Sequence, residues 1–271
     1  MKVNDKYKTI DKNDLSNFRE FLSKERILTD EESLLQHAHD ETEDLSFMPQ
    51  VVLEPENKKE IQQILKYCNE KIIPITARGA GTGLSGGALP VMGGVSLSMK
   101  RMNRLIEIDE KNFQVTVEPG LITQVLQEAV AEKGLFYPPD PASRGSCFIG
   151  GNVAENSGGP KAVKYGVVKD YVLNLEVVLP NGESFWTGSN VLKNATGYNL
   201  TQLLVGSEGT LAVISKIVLK LIPHPKHDLL MLAPFKKLDE AAEAVVAIMQ
   251  KGITPSGLEF MEKDALIASA K

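Results

Sequence analysis

A mixed fold of helices and strands packed as two lobes is what this sequence predicts, and three observations carry the prediction. The chain has 271 residues, more than the roughly 100–200 of one ordinary domain. Helix-spaced and strand-like apolar patterns alternate along it. Its glycines are crowded: none precedes Gly79, and thirteen of the 22 fall within residues 79–94 and 145–166. Glycine permits positive φ and close backbone approach at an entropic cost, so such crowding points to loops wrapped against something. Hydrophobic residues make up 42% of the chain, enough for a core, which excludes disorder and collagen-like repetition. Thirty basic against 35 acidic residues give a net charge of −5, which argues against nucleic acid as the main partner. No run approaches the ~18 apolar residues of a membrane span, and Met1 to Lys6 has no apolar signal core behind it. The expected setting is soluble and cytoplasmic. Cys68 and Cys147 are too far apart for a CxxC pair and read as reduced thiols, neither a strong functional candidate.

Taken in order, residues 13–24 and 29–38 carry helical spacing, with Leu15, Phe18 and Leu22 on one face. Asp30 to Asp44 holds seven acids and no Lys or Arg, with His37 and His39 inside it. An H-x-H pair near carboxylates can bind a metal only if the segment is extended, so a solvated helix end or loop is the favoured reading and no metal site is expected. Glu60 to Cys68 is helix-spaced, with Pro55 and Glu56 placed as first-turn residues. Ile72 to Thr76 reads as a buried strand, followed by strands near 95–99, 105–109 and 114–118. Leu121 to Lys133 is a second amphipathic helix closed by Gly134. A strand at 172–179 with a turn at Pro180-Asn181-Gly182, one or two helical turns at 199–204 and a long strand at 210–221 follow. Beyond Pro225 the pattern gives strands at 229–233 and 257–260 around a helix at 238–250. Ala265 to Lys271 is apolar-spaced like the start of another helix, so the unit is expected to be incomplete.

Gly81-Thr-Gly83-Leu-Ser-Gly86 matches the G-x-G-x-x-G dinucleotide fingerprint and follows a strand, but the context fails. That fingerprint needs a helix opening at its third glycine, and Gly87, Pro90, Gly93 and Gly94 forbid one. No Lys-Ser/Thr follows, so a P-loop fails too. What remains is a loop of small residues whose backbone N–H groups can make a nest for an anion. Arg78 supplies a fixed positive charge at its entrance, and Thr82 and Ser85 supply hydroxyl donors. A diphosphate is the expected ligand.

The run Pro74-Ile-Thr-Ala-Arg-Gly-Ala-Gly-Thr-Gly-Leu-Ser-Gly-Gly-Ala-Leu-Pro90 closely resembles the pyrophosphate loop of the vanillyl-alcohol-oxidase (PCMH) type of FAD-binding domain, in its glycolate oxidase D-subunit and D-lactate dehydrogenase branch. Pro138 to Ser143, Ile149 to Gly159, Lys164-Tyr-Gly166, Thr196 to Leu200 and Leu204 to Leu211 match in register. Asp40 to Glu43 and Pro49 to Pro55 resemble the segment leading into the same domain. The resemblance covers about residues 35 to 265.

It implies an α+β fold of two subdomains, about 46–110 and 111–222, clasping an extended FAD. A helical extension at 1–45 would precede them, and the start of a cap domain at 223–271 would follow. It implies that the diphosphate is wrapped by Ala77, Arg78, Gly79, Ala80, Gly81, Thr82 and Gly83, with Leu84 and Ser85 beside them. Pro139, Asp140, Pro141, Ala142 and Ser143 would line the flavin and ribityl side, together with Glu155, Asn156, Ser157 and Gly158. Gly150, Gly151 and Asn152 belong to that strip, the two glycines letting backbone approach a planar ring. Glu208, Gly209, Thr210, Val213 and Ile214 would run beside the adenosine half.

Where some members attach flavin through a His, this chain has Thr82, so FAD is expected to be non-covalent. The resembling enzymes oxidise a small D-2-hydroxy acid, glycolate or D-lactate in type, passing hydride from C2 to flavin N5. The electron acceptor and the catalytic residues are not read from these motifs. The branch's cap domain and histidine-rich C-terminal motifs are not found in the 271 residues; His224 and His227 do not match them. Arg144 and Lys161 read first as solvated side chains, with tuning of the ring's charge as the alternative. A non-catalytic FAD- or nucleotide-binding module serving a separate catalytic subunit is the second functional reading.

Overall fold

The computed structural model describes residues 6–269. The first helix, α1 (Lys12–Phe18), is opened by Asp11, whose carboxylate accepts from the Asn13 and Asp14 amides. Such a cap satisfies N–H groups that the helix itself leaves unpaired. Buried Asp14 then accepts from Lys8 and from the Tyr67 hydroxyl at 2.8 Å, which ties this segment to the body of the protein. A two-residue strand, β1 (Ile27–Leu28), precedes α2 (Glu31–Gln36), so both expected N-terminal helices are shorter than their apolar spacing suggested. The segment is also no separate extension. β1 pairs antiparallel with β2 (Val51–Leu53), and Phe18, Leu22 and Ile27 enter the first core.

Helix α3 (Lys58–Lys71) forms because Ile61, Ile64, Leu65 and Cys68 fall on one face, and all four are buried. Asn57 caps it, accepting from the Glu60 amide at 3.1 Å, so Pro55 and Glu56 lie before the helix and not in its first turn. It ends at Ile72, whose left-handed φ of 56° precedes Pro74 by two residues. Strands β3 (Ile75–Arg78) and β4 (Val95–Ser98) complete a four-stranded sheet in the order β1-β2-β4-β3, parallel at both β4 pairings.

The second sheet has five antiparallel strands: β5 (Leu105–Asp109), β6 (Gln114–Val117), β8 (Val172–Val178), β9 (Ser184–Trp186) and β10 (Val213–Lys220), ordered β5-β6-β10-β8-β9. The change of sheet thus falls between Met99 and Leu105, and β5 belongs with the second lobe. Helix α4 (Thr123–Ala131) buries Leu126 and Val130 against this sheet, and a small ribbon pairs β7 (Leu135–Phe136) with β11 (Ile222–Pro223). The second glycine stretch, expected as loop, holds α5 (Ile149–Glu155) and α6 (Ala162–Tyr165), and a short α7 (Leu200–Leu204) precedes β10.

The lobes are joined by polar and by apolar contacts. Lys58 pairs with buried Glu176 on β8 at 2.7 Å, and Gln62 donates to the Gly182 carbonyl at 2.8 Å. Val178 and Val213, from second-lobe strands, are buried in the core of the first. After Pro223 the chain carries α8 (Leu238–Gln250) and α9 (Lys263–Ser269); Ala270 and Lys271, in the expected last helix, lie outside the described residues, as do Met1 to Asp5. No ladder forms at 229–233 or 257–260 among the described residues. Leu229 to Leu232 are more than 80% exposed, without the neighbour whose backbone a strand must pair with. No helix among the described residues is long and apolar enough to cross a membrane.

Candidate functional site

A cleft of about 340 Å³ opens between the lobes, walled by three stretches far apart in the chain: residues 77–88, 143–158 and 204–214. The first is the loop from β3 to β4, which runs without a helix directly into β4, as its glycines required. The second is α5 with the turns around it. Ile149 and Val153, four residues apart and fully buried, hold α5 on the second core. The third is stapled to α5: the Gly206 and Glu208 amides donate to the Val153 and Ala154 carbonyls, each at 3.0 Å. Glu208 sits at a φ of 52°, a left-handed conformation rare for a side-chain-bearing residue.

Arg78 is the one cation on the cleft wall among the described residues, and it is 6% exposed. Its Nη2 donates to the Gln36 carbonyl at 3.3 Å, while Nη1 is buried with no hydrogen-bond partner. Burial lowers the guanidinium below its usual value against the pull of Asp40, yet an arginine keeps its proton at any such shift. A buried donor without an acceptor is costly, and at the mouth of a small-residue loop it fits an anionic ligand group. Gly83 and Gly151 carry the same message differently. Each lines the cleft, and a Cβ built on either meets nothing within 4 Å, so no contact inside the protein demands glycine there. Both positions leave open cleft in front of the backbone.

Most residues singled out in the sequence meet on this wall: Ala77 to Ser85, Ser143, Gly150, Gly151, Asn152, Glu155, Ser157, Gly158, Glu208, Gly209, Val213 and Ile214. Six do not. The Pro139 carbonyl accepts from Gln127 at 2.8 Å, and the Pro141 carbonyl from the Arg144 amide. Ala142 is exposed. Asp140 turns away to receive the Lys161 amide at 3.2 Å and its ammonium at 3.3 Å. Asn156 ends α5 in a left-handed conformation and accepts from the Lys169 amide, while the Thr210 hydroxyl donates to the Ser207 carbonyl at 2.6 Å. Five of these six are engaged within the second lobe, and Ala142 faces solvent. Arg144 is exposed, and Lys161, paired with Asp140, is off the wall.

Other wall residues were not legible from glycine crowding. Met99, Pro119, Phe148 and Ala212 are apolar or small positions with no motif of their own. Cys147 also lines the cleft; its Sγ lies 3.3 Å from the Thr123 hydroxyl, to which Asn152 donates at 2.5 Å. Asp40 is the larger surprise. The acidic segment is not simply solvated: the Glu41 amide donates to the Gly83 carbonyl at 3.1 Å and Asp40 is 7% exposed beneath the loop. His37 and His39 each bond a carbonyl four residues back, at 2.8 and 3.0 Å. Burial holds the buried His37 ring below the usual histidine value.

Residues 49–188 match the family model described as FAD binding domain, and residues 224–271 match that of the C-terminal domain of FAD linked oxidases. The chain is 46% identical over 233 residues to the glycolate oxidase subunit GlcD of Bacillus subtilis, covering 86% of this chain and 50% of that protein. It is 39% identical over 258 residues to a D-lactate dehydrogenase of Anaerostipes hadrus, covering 95% of this chain and 54% of that one. The chain therefore spans about half the length of the curated relatives it matches. Among solved structures, alkyldihydroxyacetonephosphate synthase superposes with a TM-score of 0.80 at 20% identity, over 94% of this chain and 48% of that one. Substrate-bound p-cresol methylhydroxylase superposes with a TM-score of 0.74 at 24% identity, over 86% of this chain and 47% of that one. These likenesses bear out the α+β, PCMH-type fold. With the FAD binding model matched over more than half of its length, this chain belongs to the FAD binding domain family, and FAD is its cofactor.

Proposed function

We propose that this chain is the FAD-holding portion of a flavin-dependent oxidoreductase that acts on a small D-2-hydroxy acid of the glycolate or D-lactate type. The observation that carries the reading is the meeting of two small-residue strips across one cleft, with an unpartnered buried Arg78 Nη1 at the loop mouth. Arg78 and the amides of residues 79–83 would hold the diphosphate, with the Thr82 and Ser85 hydroxyls beside it. Gly150 and Gly151 would face the flavin end, and residues 208–214 the adenosine end. FAD supplies the hydride acceptor, and the chain's residues bind and orient it and exclude water from one face. Thr82 stands at the loop position where some members carry the linking histidine, and no histidine stands on the cleft wall among the described residues, which supports a non-covalently held cofactor. Residues 223–271 begin the substrate-side cap, and the site of action is a reducing compartment, the cytoplasm, which leaves Cys68 and Cys147 as thiols.

One observation favours a second reading, an FAD-binding module serving a separate catalytic subunit. The charged groups on the wall are Asp40, Arg78, Glu155 and Glu208, with no histidine or lysine among the described residues to serve as a base. One experiment can exclude the second. Protein loaded with FAD and freed of excess shows a flavin spectrum; bleaching by anaerobic D-lactate, glycolate or D-2-hydroxyglutarate shows that the chain itself carries catalytic groups and overturns the module reading. A desalted protein without flavin absorbance sinks both readings. Acid precipitation tests the attachment: yellow colour belongs in the supernatant, and a yellow pellet means a covalent bond.

A further inference from the structure

The charges around the loop are unusual for a site that receives a diphosphate. Arg78 is alone against Asp40, Glu155 and Glu208, so the described wall carries a formal charge of −2 before any ligand arrives. The diphosphate of FAD brings two more negative charges that do not titrate near neutral pH. Like charges in a partly shielded cleft repel far more strongly than in bulk water, so binding favours loss of negative charge from the wall.

The three carboxylates differ in how they can respond. Asp40 is buried with its Oδ2 unpartnered, but the positive charge of Arg78 acts on it. Glu208 is exposed and free to turn into water. Glu155 has neither recourse. It is half-buried at the end of α5, its Oε2 accepts from the Ser85 hydroxyl at 3.0 Å, and its Oε1 lies 2.7 Å from where a Cβ on Gly87 would stand. The negative charges of Glu208 and Asp40 act on it, Glu208 Oε2 and Glu155 Oε1 both lying near Gly87, and no cation pairs with it among the described residues.

We infer that FAD enters this cleft together with one proton, and that Glu155 is the group that takes it. The inference rests on the diphosphate lying against residues 79–85 as proposed above. The proton comes from solvent and neutralises one carboxylate. It also changes what the group offers: an ionised carboxylate only accepts hydrogen bonds, whereas the acid donates one. Ser85, which donates to Glu155 in the protein as it stands, is then released to donate to a phosphate oxygen. Burial already pushes the Glu155 carboxyl above its ordinary value, Glu208 and Asp40 add to the rise, and the Ser85 hydrogen bond opposes it.

Calorimetric titration of the flavin-free full chain with FAD, in two buffers of different ionisation enthalpy at one pH, counts the protons taken up. A net uptake is expected. The dissociation constant should rise with pH by up to about tenfold per unit between the pKa values of free and loaded Glu155, measured from about pH 5 to about pH 8.5. Glu155→Gln keeps an acceptor for Ser85 and should flatten the profile, remove the uptake and bind FAD more tightly than the parent at the upper end. Glu208→Gln should keep both the uptake and the slope. Binding of FAD without buffer-dependent heat in the parent overturns the inference and leaves the placement of the diphosphate intact. Uptake that survives in Glu155→Gln, or vanishes in Glu208→Gln instead, overturns it as well. No binding of FAD at any pH overturns the placement itself. The parent's buffer dependence decides the proton uptake even if a variant fails to fold, and the two variants decide which group takes it.

Discussion

The two glycine-rich stretches look alike in composition and divide their glycines differently between packing and open cleft, although Gly81, Gly87 and Gly94 of the first also lie close to protein atoms. In residues 145–166 glycine mostly lets the protein touch itself. A Cβ on Gly150 would lie 2.6 Å from the Pro119 ring and 2.9 Å from its carbonyl, because α5 is pressed onto the β6–α4 connection. In residues 79–94 the loop is held at its rim, by the Arg78–Gln36 and Glu41–Gly83 hydrogen bonds, and its middle faces open cleft at Gly83. Gly151 is the exception that links the two, a helical glycine with nothing in front of it. Glycine density therefore marks close approach without saying whether the approaching body is protein or ligand.

Substitutions at single glycines break that contrast or sharpen it. Gly150→Val carries the largest expected effect, a loss of fold stability on the order of 3 kcal/mol from overpacking against backbone, read from denaturant melts of flavin-free protein. An unchanged midpoint would mean that α5 can shift off Pro119. Gly81→Val comes next. Its φ of 73° disfavours a branched residue, and the new Cβ would stand 2.8 Å from Arg78 Cζ. Weakening of FAD binding by about a hundredfold or more, near 3 kcal/mol, is expected from flavin fluorescence titration.

Gly151→Ala should separate the two kinds of glycine most cleanly. Alanine favours a helix over glycine by about 1 kcal/mol, so the flavin-free protein should melt no lower than the parent. FAD should bind about tenfold more weakly because a methyl enters its space, about 1.4 kcal/mol. Retained affinity would move the ring away from α5.

The smallest effect lies at the lobe joint, distant from both stretches. Burial pushes Glu176 up, but hydrogen bonds from Lys58 and Ser215 and the charges of Lys216 and Lys58 outweigh it and hold the carboxyl below its usual value. A depressed carboxylate stabilises the fold above its unfolded value, and that contribution is lost as pH falls through the folded one. Melting temperature should therefore drop below about pH 4.5, with a shallower acid slope in Glu176→Gln. Lys58 is partly exposed, so Lys58→Ala should cost about 0.5–1 kcal/mol at neutral pH and leave FAD affinity unchanged.

Long, strongly periodic segments were legible in the sequence: α3, α4, β8, β10 and α8 occur where their spacing put them. Strands β1, β2, β7, β9 and β11 have two or three residues, too few for alternation to show. Helix α5 was hidden because Gly150-Gly151 lowers helix propensity, while Ile149 and Val153 supply the packing that overrides it. The i,i+4 apolar pair flanking the glycines was the available signal. The run at 229–233 failed for the converse reason, strong local preference without a partner strand. Most of the motif residues lie on the cleft wall and six lie off it, whereas Met99, outside every motif, reaches it through tertiary placement alone.

Burial of Val178 and Val213 in the first core has a consequence for how the protein is made. Domains commonly fold in turn as they leave the ribosome, the N-terminal one first. Here the first sheet is finished at Ser98, yet its core lacks two members until the chain has grown past residue 213. A nascent first lobe would present that unfilled apolar surface throughout synthesis of the second. The pair is expected to form as one late cooperative unit, and a ribosome-bound chain stalled after the first sheet should remain open to protease until β10 has emerged.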